Sequence, residues 1–304
     1  MISFLQMFLY TFRGKRISAV LCLLLISMAA SAAWSAQQRP HFNIIELRDS
    51  INPAAEEFLK DAIALSIEEK AQFLLLLLDT PGGLMTSMRG MSQAILNSEV
   101  PIVVYVSPSG AQAASAGVFI TAAADIAAMA PGTNIGAAHP VTGGGGEIPS
   151  SMNEKVLNDV RAFARSIAAQ RGRNAEWLEE AVKSSISATA EEAFKENVID
   201  LLADSLPALL VKLDGWQIER KGQRVVLHTR NIEQRTIEPG WKYNVLRIIG
   251  NPNLAYILLM IGLAGLYFEL SNPGTVLPGA VGGISLILAL YAMQTLPVNY
   301  AGFL

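Results

Sequence analysis

The sequence predicts an α/β fold: a layered domain of βαβ units over residues 41–238, followed by a transmembrane helical hairpin over 254–294. Three observations carry this. Continuous apolar runs such as "FLLLLLD" and "PIVVYV" alternate with helix-length amphipathic segments, as strands buried on both faces of a parallel sheet do. Long apolar stretches with almost no charge lie near both ends of the chain. Finally, 51% hydrophobic residues and a mean hydropathy of +0.35 over 304 residues exceed what an ordinary soluble domain carries.

The first segment reads "FRGKRISAVLCLLLISMAASAAWSAQQRP": Arg13, Lys15 and Arg16, an apolar run from Ile17 to Ala30, then small residues. Residues 1–36 thus have the layout of a signal peptide or N-terminal anchor, and in either case the positive end stays in the cytoplasm. "FNIIEL" reads as a strand. Asn52 followed by Pro53 opens a helix to about Ser66, as a cap with proline at the first helical position does. After the buried strand at Phe73 come the turn "TPGG", a helix from about Leu84 to Leu96, and the buried strand "PIVVYV". "EKVLNDVRAFARSIAAQRG" is helical, with Val156, Val160, Phe163 and Ile167 on one face. Further helices start near Ala175 and after Ala188, and "WQIERKGQRVVLHT" is a hairpin turning at Lys221 and Gly222. Leu254–Leu270 and Val276–Met293 are apolar stretches near the lower length for spanning a bilayer, which is about 17 residues. They are joined by "SNPG" and read as a membrane hairpin.

A net charge of −3 and a pI near 5.7 give no basic field for nucleic acid, so nucleic acid is excluded as a partner. The single cysteine, Cys22, rules out an intrachain disulfide or a Cys-based zinc site, and Leu21 before it argues against lipoprotein processing. His41, His139 and His228 are far apart with no metal-ligand spacing, so no metal is expected. No phosphate-binding GxxxxGK[ST] loop occurs, so any activity is ATP-independent.

Two stretches carry potential chemistry. In "DTPGG" a buried strand should end and a helix begin, leaving outward N–H groups at Gly82 and Gly83 that could serve as oxyanion donors; a tight turn explains the same residues. In "AQAASAGVFI" the hydroxyl of Ser115 sits among tiny side chains at a helix start. There the helix dipole and the Ala116 N–H would favour an oxyanion; close helix packing explains the same composition. A nucleophilic serine needs a base. His139 in "GAAHPV" is one candidate. Lys155 is the other, at the start of the long helix behind the loop "TGGGGEIPSS". A helix N-terminus disfavours an ammonium, and burial there would add to the effect.

The ordered series "LLLLDTPGG", "SAGVFITAAAD", "MAPGTNIGAAHPV", "ATAEEAFKENVID" and "YFELSNPGTVLPGAVGGISLILALYA", from about residue 40 to the end, resembles the NfeD-type membrane-bound serine proteases. The resemblance implies a ClpP/crotonase-like fold, a Ser-Lys dyad at Ser115 and Lys155, and an oxyanion hole at Gly82, Gly83 and Ala116. It implies no cofactor. His139 resembles the position of the ClpP histidine and is the alternative base, but the place of the ClpP aspartate holds Lys183. Implied partners are a protein or peptide substrate, a stomatin-like membrane protein, the lipid bilayer and a second copy of the chain. The implied location is the cell's inner membrane, multi-pass, with the protease domain on the extracytoplasmic side. The family also implies a small β-barrel domain further on, so residues 295–304 read as the start of a truncated region. The rival readings are a non-catalytic membrane scaffold with a ClpP-like domain, and acyl-CoA chemistry on the same fold, which the export signal disfavours.

Overall fold

The computed structural model describes residues 40–141, 150–220, 222–241, 243, 252–272 and 276–295. The signal-like segment, the glycine run 143–146 and residues 296–304 lie outside them. In chain order the first elements are β1 (His41–Leu47), α1 (Pro53–Glu68), β2 (Leu74–Leu78), α2 (Met85–Asn97), β3 (Ile102–Val106), β4 (Gln112–Ala114) and α3 (Ala116–Ala123). There follow β5 (Ile126–Met129), β6 (Asn134–Gly136), α4 (Ser150–Arg171), α5 (Ala175–Lys183), β7 (Ser187–Thr189), α6 (Ala190–Lys195), β8 (Leu201–Leu202) and α7 (Leu206–Leu213). The last are β9 (Gln217–Arg220), β10 (Gln223–Val226), β11 (Glu233–Thr236), α8 (Pro252–Ser271) and α9 (Val276–Thr295).

The main sheet has six strands in the order β11-β1-β2-β3-β5-β8, with every neighbouring pair parallel. Its central strands are apolar at every position because both faces are covered. On one face Leu74, Leu76 and Leu78 pack with Phe58 and Leu59 of α1 and Met88 and Met91 of α2. On the other, Leu75 joins Phe42, Phe73 and Tyr105 against Leu209 and Leu213 of α7. The expected caps form: Asn52 Oδ1 accepts the Ala55 N–H at 2.9 Å and places Pro53 at the head of α1. The hairpin forms as well, with β9 antiparallel to β10.

A second, three-stranded sheet, β4-β6-β7, was not expected. Its strands are three residues each and rich in Ala, Gly and Ser, too short and too small to give an alternating pattern. Thr80, just beyond β2, bridges Ala113 of β4 in parallel and so ties the small sheet to the large one.

A buried charge cluster was equally unexpected. The Asp125 side chain is fully buried, and its carboxylate meets Arg171 at 2.5 Å and Arg220 at 3.2 Å while accepting the Ile102 N–H at 2.8 Å. Burial pushes the Arg171 guanidinium below its ordinary range, and the Asp125 carboxylate opposes that shift. Nearby, Arg173 pairs with Asp200 at 2.9 Å.

The apolar C-terminal stretches form two packed helices. Gly262 faces Leu286, and Gly265 faces the Pro278 carbonyl and Gly282, so the backbones approach closely. Large apolar side chains, Met260, Leu263, Tyr267 and Ile287 among them, point outwards. Among the described residues, length and composition give one helix able to cross a membrane, through Leu254–Ser271, and a shorter apolar run at Val276–Leu290.

Replacing Asp125 with Ala should destabilise the protein by roughly 3–5 kcal/mol, because two buried guanidinium groups lose their counter-charge. Glu46→Ala, which removes a surface partner of Arg48, should change it by less than about 0.5 kcal/mol. Urea unfolding followed by tryptophan fluorescence distinguishes the two.

Candidate active site

Strand β4 ends at Ala114 and α3 begins at Ala116, so the chain must turn from strand to helix within Ser115 alone. It does so at φ 52°, ψ −109°, a conformation that non-glycine residues rarely adopt. The Ser115 N–H is anchored to the Gly136 carbonyl at 2.9 Å, and its side chain is half-buried. Helix α3 is buried along its whole length.

Gly82 lies directly over the hydroxyl. A Cβ built there would stand 2.6 Å from Ser115 Cβ and 3.1 Å from Ser115 Oγ, so only glycine fits. The Gly82 N–H itself is bonded to Thr80 Oγ1 at 3.1 Å. Gly82, expected as an oxyanion donor, thus has its N–H engaged by Thr80 and gives the hydroxyl room. The Gly83 and Ala116 N–H groups, by contrast, have no acceptor among the described residues. One belongs to the turn after the main sheet and the other to the first turn of α3, where the helix's positive end lies.

The two candidate bases stand differently. His139 is half-buried, with Nδ1 3.0 Å from the Val182 carbonyl. The imidazole thus has an orienting partner. That partner is a neutral carbonyl, and Lys183, at the expected aspartate place, pairs instead with Glu180 at 3.7 Å on the surface. Lys155 lies on α4 and is exposed, so the burial that would add to the effect of the helix N-terminus is not present. Neither base is hydrogen-bonded to Ser115.

The position of Lys155 follows from how α4 is held. Phe163 of α4 stacks on Phe119 of α3, ring centroids 6.0 Å apart, and Arg171 at the end of α4 donates to the Ala123 carbonyl at the end of α3 at 2.7 Å. The two helices therefore run in the same sense, and Lys155 lies towards the same end as Ser115. Sequence reasoning missed Thr80, which orders the glycine turn, and Gly136, which anchors the serine; both sit inside motifs that it had singled out, "DTPGG" and "GTNIGAAHPV".

Comparison with known proteins gives the same outline. Residues 41–237 match the family described as NfeD1b, N-terminal domain, and residues 253–304 match the NfeD integral membrane domain. The membrane-bound protease PH1510 of Pyrococcus horikoshii is 37% identical over 80% of this chain, which spans 56% of that relative. The membrane protein NfeD1b of Bacillus subtilis is 26% identical over 90% of the chain, which spans 61% of it. Among solved structures, a lysine-to-alanine mutant of the 1510-N membrane-bound stomatin-specific protease, in complex with a substrate peptide, superposes with a TM-score of 0.65. It is 32% identical and covers 70% of this chain and 99% of its own.

Gly82→Ala should lower the rate at which a fluorophosphonate labels Ser115 by about 100-fold, since a displaced hydroxyl loses its alignment. Gly172→Ala, at φ +67° with open space around it, should label at the normal rate despite a stability loss of about 1 kcal/mol. Mass spectrometry of the labelled peptide reads both.

Proposed function

The chain belongs to the NfeD family, and on that premise we propose that it is a membrane-anchored, ATP-independent serine endopeptidase with Ser115 as nucleophile and Lys155 as base. The observation that carries the reading is the positive-φ turn at Ser115, which holds a hydroxyl beside two unpaired backbone N–H groups. The free amine of Lys155 takes the Ser115 proton as Oγ attacks the scissile carbonyl, and the Gly83 and Ala116 N–H groups receive the oxyanion. The Lys155 ammonium then protonates the leaving amine, and a water deprotonated by the same group releases the acyl-enzyme. Lys155 lies in solvent without substrate and completes the dyad when a bound peptide covers the site. No cofactor enters these steps.

In this reading residues 41–238 form the catalytic domain and 254–294 the membrane segment. The substrates are extended or hydrophobic segments of membrane-associated proteins, with a stomatin-like protein as the natural partner. Support for that partner comes from the Pyrococcus protease, whose solved structures are described as stomatin-specific. The chain acts as a homo-oligomer of at least two copies, in contact with the lipid bilayer. It is a multi-pass protein of the inner membrane, with Arg13, Lys15 and Arg16 holding the N-terminus inside and the catalytic domain outside the cytoplasm.

Ser115→Ala and Lys155→Ala should each reduce peptide cleavage by about 1000-fold or more, with the double variant no worse. Lys155→Arg should be equally inactive, because a guanidinium keeps its proton. His139→Ala should stay within a few fold of wild type, and the pH–rate profile should rise towards alkaline pH with no limb near the ordinary imidazole value of about 6.5. Loss of cleavage in His139→Ala with normal cleavage in Lys155→Ala would reject the dyad; full-length protein with no fluorophosphonate-reactive serine would favour a scaffold.

Topology is tested separately. An alkaline phosphatase fused near Gly222 should be active, and a cytoplasmic reporter at the same place silent. The opposite pattern rejects the orientation.

A further inference from the structure

We propose that Arg89 is a positioning residue whose task is to keep the carboxylate nearest to Lys155 occupied, so that the lysine can act as a free amine; this rests on Lys155 being the base. On α4, Lys155 and Asp159 are four residues apart, the spacing at which helical side chains lie side by side. A carboxylate in that position would hold the ammonium and oppose its deprotonation. The structure gives Asp159 a different partner: the guanidinium of Arg89, on α2, forms an ion pair with it.

Arg89 is seated from a second side. Its guanidinium carbon lies 4.6 Å from the centroid of the Phe163 ring, one turn beyond Asp159 on the same helix. Phe163 is in turn fixed against Phe119 of α3. Arg89 is accordingly 28% exposed while Asp159 is 66% exposed, so the arginine is the anchored member of the pair. Its contacts span Asp159 and Phe163 and end one turn short of Lys155.

Among the described residues, the other charged groups on the helices beside α4 are as follows. Helix α3 carries no ionisable side chain, and Arg89 is the only one on α2. On α5, Glu179 is held by Arg161 at 2.9 Å and Arg165 at 2.8 Å, and Glu180 by Ser184 and Lys183. Glu176 lies in the first turn of α5. Glu154 precedes Lys155 in sequence and so projects about 100° round the helix from it. Asp159 is therefore the described carboxylate at pairing distance along the helix, and Arg89 is the group that neutralises it.

The test uses the full chain in detergent and two readouts. One is the pH dependence of peptide cleavage. The other is the pH dependence of trace acylation of Lys155, read by mass spectrometry, which reports the free amine without requiring activity. Arg89→Met keeps the stem against Phe163 and removes the charge. It should move both curves upward by roughly 0.2–0.4 pH unit, with the maximal rate at high pH unchanged. Adding Asp159→Asn should return both to the wild-type position, and Arg89→Lys, which retains the ion pair, should leave both in place. An acylation curve that does not move in Arg89→Met overturns the inference and leaves the dyad untouched. So does a pH-independent loss of rate that Asp159→Asn fails to rescue. An acylation curve that moves while the cleavage curve does not supports the role of Arg89 and overturns Lys155 as the base.

Discussion

The constraint on which the site depends is the backbone turn at Ser115. A strand and a helix meet there with one residue between them, and the geometry demands a positive φ from a residue that has a Cβ. Such a conformation costs of order 1–3 kcal/mol and persists only where the surroundings leave no alternative. Those surroundings can be named. The Ser115 N–H is held by Gly136, strand β4 is held by Thr80 on one side and β6 on the other, and α3 has no exposed residue by which it could relax. A glycine at 115 would adopt the turn more easily but would carry no hydroxyl, so the strain accompanies a side chain that the turn exposes.

The far end of α3 is held with equal care. The carbonyls of Ala122, Ala123 and Ala124, which have no partner within the helix, accept bonds from Arg173 Nε at 2.9 Å, Arg171 Nε at 2.7 Å and Arg173 Nη2 at 2.9 Å. Cations at a helix C-terminus complement its dipole just as an anion does at the N-terminus. Their buried charges are met in turn by Asp125 and Asp200. A two-turn helix with a nucleophile at one end and a charge network at the other cannot slide along its axis without breaking buried ion pairs. The network thus fixes Ser115 against Gly82 even though none of its members lies near the hydroxyl.

The sequence revealed the three strands β1, β2 and β3 of the main sheet and none of the small one, for a physical reason. Five leucines in β2 and the run "IVVYV" of β3 state their burial on both faces directly, and Asn52-Pro53 states where α1 begins. Strands of three small residues say nothing through periodicity, because their pairing comes from backbone bonds made to distant segments. The same limit governs the site. Ser115 and the glycine turn were legible from composition, whereas the loss of the Gly82 N–H to Thr80 and the exposure of Lys155 depend on which way a single peptide or side chain points. Asp125, Arg171 and Arg220 were invisible for another reason: charged residues far apart in sequence read as surface until the fold closes them into one cluster. The membrane region was legible from its two uncharged apolar stretches, whereas the glycines by which α9 approaches α8 gave no signal of that packing.

The small residues around Ser115 admit two explanations, packing or catalysis, and the structure shows that they are not alternatives. Gly117 has no room for a side chain because Thr80 Cγ2 would lie 2.9 Å from it, and that closeness is what lets Thr80 join the two sheets. Thr80 in turn holds the Gly82 peptide through its hydroxyl, and the next N–H, that of Gly83, has no acceptor among the described residues. Tight packing under α3 is therefore the means by which the glycine turn is oriented above the serine. A larger residue at 117 would push Thr80 away and, through it, disturb the donor at Gly83, although it touches neither the hydroxyl nor the donor. The same chain of contacts explains why the polar groups of the site are mostly backbone: in a corner this crowded, peptide N–H groups are the donors that fit.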